Sequence, residues 1–186
     1  MDDICSFQRV ANVINNASPD VVAIQEVESM TRRSGQKYVL GEIAERTKMH
    51  ACFAPAIDYD GGKYGIGLLS KKAPLHLQAI ALPGREEARA LILAEFEDYI
   101  YCCTHLSLTE EDRMKSLESL KTFAASYKKP LFLAGDMNAD PESDFIKELQ
   151  KDFQILSNPE KHTYPAPDPK EAIDYITVSK QNATGL

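Results

Sequence analysis

The sequence predicts an α+β protein in which two stacked, mostly antiparallel sheets are covered by helices. Three observations predict it. Helical periodicity occurs near both ends. Between them lies a long run of strand-like segments with no helix, which implies antiparallel pairing. The polar residues that break the apolar runs fall at strand ends, where sheets open to solvent. The chain has 186 residues, of which 44% are hydrophobic and 26% charged, enough for one domain with a sizeable core.

In order along the chain, Ser6 caps a helix whose apolar positions Phe7, Val10, Ala11, Val13 and Ile14 recur at helical spacing. Pro19 and the preceding Asn/Ser cluster stop it. "VVAIQEV" has no polar alternation and reads as a buried strand. "YVLGEIAERTKM" is a second helix, weakened by Gly41. The strand run follows: "ACFAPAI", a turn at "DYDGGK", "YGIGLLSK", "LHLQAIAL", "ARALILAEF" and "YIYCCTHL". Thr109 is placed to cap a long helix to about Tyr127, and Glu110, Glu111 and Asp112 suit its dipole. "PLFLAGD" is a buried strand, "SDFIKELQKDF" a short helix and "AIDYITV" a final strand. No repeat, low-complexity tract or linker divides the chain, so residues 1–186 read as one domain.

Composition narrows the function. The formal net charge is −7, which argues against a protein gripping nucleic-acid phosphates through a basic face. No apolar run approaches the roughly 20 residues that span a bilayer, so no integral membrane segment is expected. "MDDICSFQRV" lacks the basic start of a signal peptide, leaving cytoplasmic and exported locations open. Cys5, Cys52, Cys102 and Cys103 form no C-x-x-C pair, so zinc is not expected and free thiols are. Adjacent on a strand, Cys102 and Cys103 should face opposite ways. Asn182-Ala183-Thr184 matches a glycosylation sequon.

Candidate chemistry lies at strand ends: Glu26 after "VVAIQ", His105 after "YCCT", Asp136 and Asn138 after "LFLAG", and Asp174 within "AIDYITV". Carboxylates with an amide and an imidazole could bind Mg²⁺ and a phosphate, since Mg²⁺ takes oxygen ligands, commonly one or two carboxylates with phosphate and water. A carboxylate beside such an ion can orient water for attack on phosphorus. Each residue also has a plainer reading: a satisfied strand-end acid for Glu26, a core histidine for His105, a turn or helix cap for Asp136 and Asn138, and an edge acid for Asp174. An EF-hand is excluded, because the glycine its loop requires is Pro141 and its last ligand is Lys147.

Five segments, "PDVVAIQEV", "YGIGLLSK", "THL", "LAGDMNADP" and "IDYITVS", come in an order that resembles the endonuclease/exonuclease/phosphatase superfamily of metal-dependent phosphoesterases and span nearly the whole chain. The resemblance implies a four-layer αββα sandwich. It assigns Glu26 to the metal, His105 to contact with the scissile phosphate and Asp136 to the attacking water. Asn138 would hold the phosphate, and Asp174 would position a catalytic histidine. Arg89, in "REEARALILAEF", becomes a phosphate contact, with a strand-edge arginine as the alternative. The implied cofactor is Mg²⁺, with Mn²⁺ as the alternative ion.

Two departures accompany it. Family members usually open with a strand ending in asparagine and finish with a Ser-Asp-His segment, and neither is present. The domain is therefore expected to be truncated at both ends, and these residues alone are expected to turn over little or no substrate. The expected substrate is a phosphate mono- or diester in a small phosphorylated molecule or lipid head group. DNA is disfavoured by the acidic balance and the absence of Trp. The rival readings are a DNA endonuclease and a non-catalytic binding protein on the same scaffold.

Overall fold

The computed structural model describes residues 6–182. Cys5, and Ala183 and Thr184 of the sequon, lie outside the described residues; the Asn182 side-chain amide donates to the Tyr127 carbonyl at 2.8 Å.

Helices α1 (Phe7–Ala17) and α2 (Val39–Thr47) cover a sheet of β1 (Val21–Ser29), β2 (His50–Tyr59) and β3 (Gly62–Ser70), ordered β1-β3-β2. The second sheet holds β4 (His76–Leu82), β5 (Arg89–Glu95), β6 (Ile100–His105), β7 (Leu131–Asp136), β8 (Phe153–Ile155) and β9 (Asp174–Ser179), ordered β4-β5-β6-β7-β9-β8. Helices α3 (Glu110–Ser126) and α4 (Asp144–Asp152) cover its outer face. Three apolar clusters mark the boundaries of four layers. Ile14, Leu40 and Ile43 pack with Val27 and Leu69. Ala54, Ile66 and Leu68 meet Ala90, Ile92 and Cys103 between the sheets. Leu93, Cys102 and Leu133 pack under Leu117, Leu120 and Phe145. The expected αββα sandwich is the observed one.

Neighbouring strands are antiparallel except β6 and β7, which run parallel and are joined through α3. This crossover puts the C-terminal ends of β6 and β7 side by side, pairing His105 with Asp136. Gly135 makes the close approach possible: a Cβ there would lie 1.9 Å from the Thr104 carbonyl oxygen.

Some local expectations are corrected. "VVAIQEV" is not a buried strand. Among the described residues β3 is its one strand partner, beside a single bridge from Ser29 to Tyr38, which puts it at a sheet edge, and Val21 to Gln25 are half-buried. An unbroken apolar run reads the same at an edge as in a centre. Ser6 accepts the Arg9 N–H as expected, whereas Thr109 makes no side-chain cap bond to α3. The Thr109 hydroxyl turns instead to Glu86, at 3.4 Å. The segment "SDFIKELQKDF" leaves the helix at Asp152, and Phe153 opens β8. Cys52, Cys102 and Cys103 are free thiols, and the last two do face opposite sides of the sheet. Among the described residues, no helix is long and apolar enough to cross a membrane.

Candidate active site

Five of the six candidate residues line one cavity of about 480 Å³: Glu26, Arg89, His105, Asp136 and Asn138. They reach it from β1, β5, β6, β7 and the turn after β7. That volume suits a small ligand.

Glu26 is delivered by a bulge. The β1–β3 register runs Ile24↔Gly67 and then Val27↔Gly65, so Gln25 and Glu26 together oppose Ile66. A bulge re-aims side chains that strict alternation would send elsewhere. Glu26 takes a left-handed backbone with φ 58°, and its side chain is exposed. Such a conformation is costly for a non-glycine residue and clusters at functional sites.

Asp136 ends β7, and its Oδ1 accepts the Asn138 N–H at 2.8 Å. The Asn138 amide donates to the Leu106 carbonyl at 2.8 Å, tying the turns after β6 and β7 together. Asn138 is left-handed too, with φ 48°, a conformation asparagine tolerates well. The turn-forming role of this pair is real, and it fixes both side chains at the cavity wall.

His105 is 9% exposed. Burial and the neighbouring Arg89 charge lower its pKa to about 4, against an opposing pull from Glu86. It is therefore neutral at pH 7. Asp136 moves the other way: burial, with the charges of Asp174 and Glu26, raises its pKa to about 6, although the Asn138 N–H and Arg89 work against the rise. Arg89 is 7% exposed, with Glu86 at 3.4 Å and Glu87 at 3.3 Å, and its Nε has no hydrogen-bond partner. An unmatched buried guanidinium donor is a costly arrangement that an oxyanion would relieve.

Asp174 stands apart from these five. It opens β9 directly opposite Asp136 in register, but it lines the adjoining cavity with Gln25, Gly135 and Ile176.

Several lining residues escaped sequence reasoning. Tyr64, Glu87, Tyr164 and Glu171 share the cavity. Burial, with the charges of Glu26 and Glu87, pushes the Tyr64 hydroxyl pKa up. Glu86, outside the cavity wall, accepts from the Ser107 hydroxyl at 2.8 Å and the Leu108 N–H at 2.6 Å. Partial desolvation opposes ionisation of Glu86, but these bonds and Arg89 hold its pKa down at about 2. The available signal was the acid pair in "REEAR", immediately ahead of β5.

Among the described residues, no three His, Cys, Asp or Glu side chains form a cage for a metal ion. Mg²⁺ does not need one, because it keeps several waters and commonly takes one or two carboxylates with substrate oxygens. Glu26, Asp136 and Asn138 supply only hard oxygen donors at this cavity, a set that fits Mg²⁺ or Mn²⁺ and not a thiolate-seeking metal.

The endonuclease/exonuclease/phosphatase family model matches residues 3–184. Solved structures of similar architecture include an endonuclease/exonuclease/phosphatase from Bacteroides vulgatus, 17% identical with a TM-score of 0.73, covering 95% of this chain and 79% of that one. The human Nocturnin catalytic domain with bound sulfate anion is 18% identical with a TM-score of 0.69, covering 94% of this chain and 75% of that one. Truncated Caenorhabditis elegans TDP2 is 16% identical with a TM-score of 0.68, covering 93% and 75%. At these identities the likeness to solved structures is one of fold. No curated protein matches the chain by sequence.

Proposed function

Since the chain belongs to the endonuclease/exonuclease/phosphatase family, we propose that it is a divalent-metal-dependent hydrolase of phosphate esters. The observation that carries this reading is the convergence of Glu26, Arg89, His105, Asp136 and Asn138 on one cavity from separate elements.

Glu26 would hold Mg²⁺ or Mn²⁺ at this cavity. When bound, such an ion neutralises the charge that develops on phosphoryl oxygens. The remaining work falls to the chain. Arg89, with its unmatched Nε, and the Asn138 amide hold phosphate oxygens. The neutral His105 imidazole donates an N–H to the same phosphate without adding charge. Asp136, ionised above its pKa of about 6, accepts a proton from the attacking water. Asp174, opposite it in register, raises the proton affinity of that carboxyl. The sulfate in the Nocturnin structure, a tetrahedral oxyanion like phosphate, supports a fold suited to such a guest.

The substrate favoured is a small phosphorylated molecule or a lipid head group. Cavity carboxylates from Glu26, Glu87, Asp136 and Glu171 face the single guanidinium of Arg89, poor terms for a polyanion such as DNA.

The test pairs binding with turnover. Wild-type protein should bind Mg²⁺ in a calorimetric titration, and Glu26→Gln should lose that binding. Phosphodiesters, sugar phosphates, phospholipids and abasic DNA, assayed with and without Mg²⁺, then identify the substrate class. A wild-type chain that takes up no Mg²⁺ and hydrolyses none of them would sink the proposal.

A further inference from the structure

The cavity combines a polar set of residues with exposed apolar side chains. Glu26, Arg89, His105, Asp136 and Asn138 are polar, yet Leu108 and Tyr164 line the same cavity and are 65% and 54% exposed. Large apolar side chains exposed in the lining of a polar cavity offer surface that a ligand can cover.

Both are displayed on fixed backbone. The Leu108 N–H donates to Glu86 Oε1 at 2.6 Å, and its carbonyl accepts from the buried Arg113 at 2.7 Å. The Tyr164 N–H donates to the Glu171 carbonyl at 3.0 Å, while its carbonyl accepts from Lys170 and Glu171 N–H groups at 2.7 and 2.9 Å. With the backbone pinned on both sides, exposure of these side chains does not come from a slack loop. The charge balance adds a constraint: four carboxylates, those of Glu26, Glu87, Asp136 and Glu171, share the cavity lining with Arg89, so a second phosphate on the ligand would meet repulsion.

We infer that Leu108 and Tyr164 form an apolar subsite that selects phosphate esters carrying a single phosphate and an apolar organic group. This rests on the phosphoesterase reading for the phosphate's place in the cavity. An aromatic ring and an alkyl chain share the required chemistry, and the test separates them.

The probes are phosphonates, whose C–P bond resists hydrolysis: methyl-, phenyl- and n-hexylphosphonate, titrated calorimetrically into the full chain with Mg²⁺. Phenyl- or hexylphosphonate should bind about tenfold tighter than methylphosphonate, the scale expected for covering one small apolar group. A phenyl preference assigns an aromatic substituent and a hexyl preference an alkyl one. Leu108→Ala and Tyr164→Ala should each shrink the preference, the double variant should erase it, and Tyr164→Phe should keep it. Both side chains are exposed, so these variants fold. Equal affinities in the wild type, or a preference that survives the double variant, overturn the inference. The two readings fail separately. Mg²⁺ uptake that Glu26→Gln abolishes, without apolar preference, removes the subsite alone, whereas a Leu108- and Tyr164-dependent preference in a chain that takes up no Mg²⁺ removes the phosphoesterase reading alone.

Discussion

His105 Nε2 lies 3.6 Å from Asp136 Oδ2, and the two residues are register partners at the ends of parallel strands. This is contact between a neutral imidazole and a carboxyl, not an ion pair, because burial lowers the first pKa to about 4 and raises the second to about 6.

The pair predicts opposite pH dependences that offset each other. Asp136 binds its proton more tightly when folded, so its contribution is present below its unfolded pKa and lost as pH rises through about 6. His105 binds its proton more weakly when folded, so its contribution is present above its unfolded pKa and lost as pH falls through about 4. Between pH 4 and 6, Asp136→Asn should therefore gain stability with rising pH relative to wild type, and His105→Gln should lose it. Each slope is bounded by about 1.4 kcal/mol per pH unit. Urea unfolding of the metal-free protein across this range checks both signs; parallel slopes in the two variants would refute the assignment.

Glu26 sets function against stability. Its left-handed backbone suits glycine, so Glu26→Gly should stabilise the fold by about 1 kcal/mol while abolishing Mg²⁺ binding. Denaturation midpoints and metal titrations on the same preparation measure the two effects.

Gly135→Ala should be severe. The new Cβ would sit 1.9 Å from the Thr104 carbonyl oxygen in the neighbouring strand, with no flexible side chain to yield. A loss of about 3 kcal/mol or more is expected from thermal or urea unfolding, together with altered NMR shifts for His105 and Asp136.

Glu86→Gln tests the anchor beneath Leu108. It removes the charge that accepts from Ser107, Leu108 and Arg89, at an expected cost of about 1–2 kcal/mol. Because the Glu86 charge raises the His105 pKa, the imidazole should become still harder to protonate. An NMR titration in which His105 protonates more easily would contradict this.

The layered fold was legible because it depends on local periodicity: the stripe of α1 and the buried runs of β6 and β7 carry their pattern within a few residues. The edge position of β1 was not, since exposure depends on which strands flank it. Nor was β8, three residues that exist as a strand through pairing with β9. At the candidate site, Glu26, His105, Asp136 and Asn138 could be named as chemistry at strand ends. The part of Glu86 was hidden because its partners Ser107, Leu108 and Thr109 lie 21 to 23 residues away. Leu108 and Tyr164 gave no signal, as an apolar residue in a loop acquires meaning only from the cavity it borders.

Cys102 and Cys103 give the sandwich two internal clocks. Both are fully buried, and burial raises both thiol pKa values, that of Cys103 to about 12, so neither reacts while its layer stays closed. Cys102 sits among residues packed beneath α3 and α4, whereas the Cys103 thiol bonds the Gly67 carbonyl of the opposite sheet. Alkylation at Cys102 thus times the lifting of helices from the sheet, and alkylation at Cys103 times the parting of the two sheets. Fragment mass spectrometry can read both from one reaction, so neighbouring residues resolve which boundary of the fold opens first.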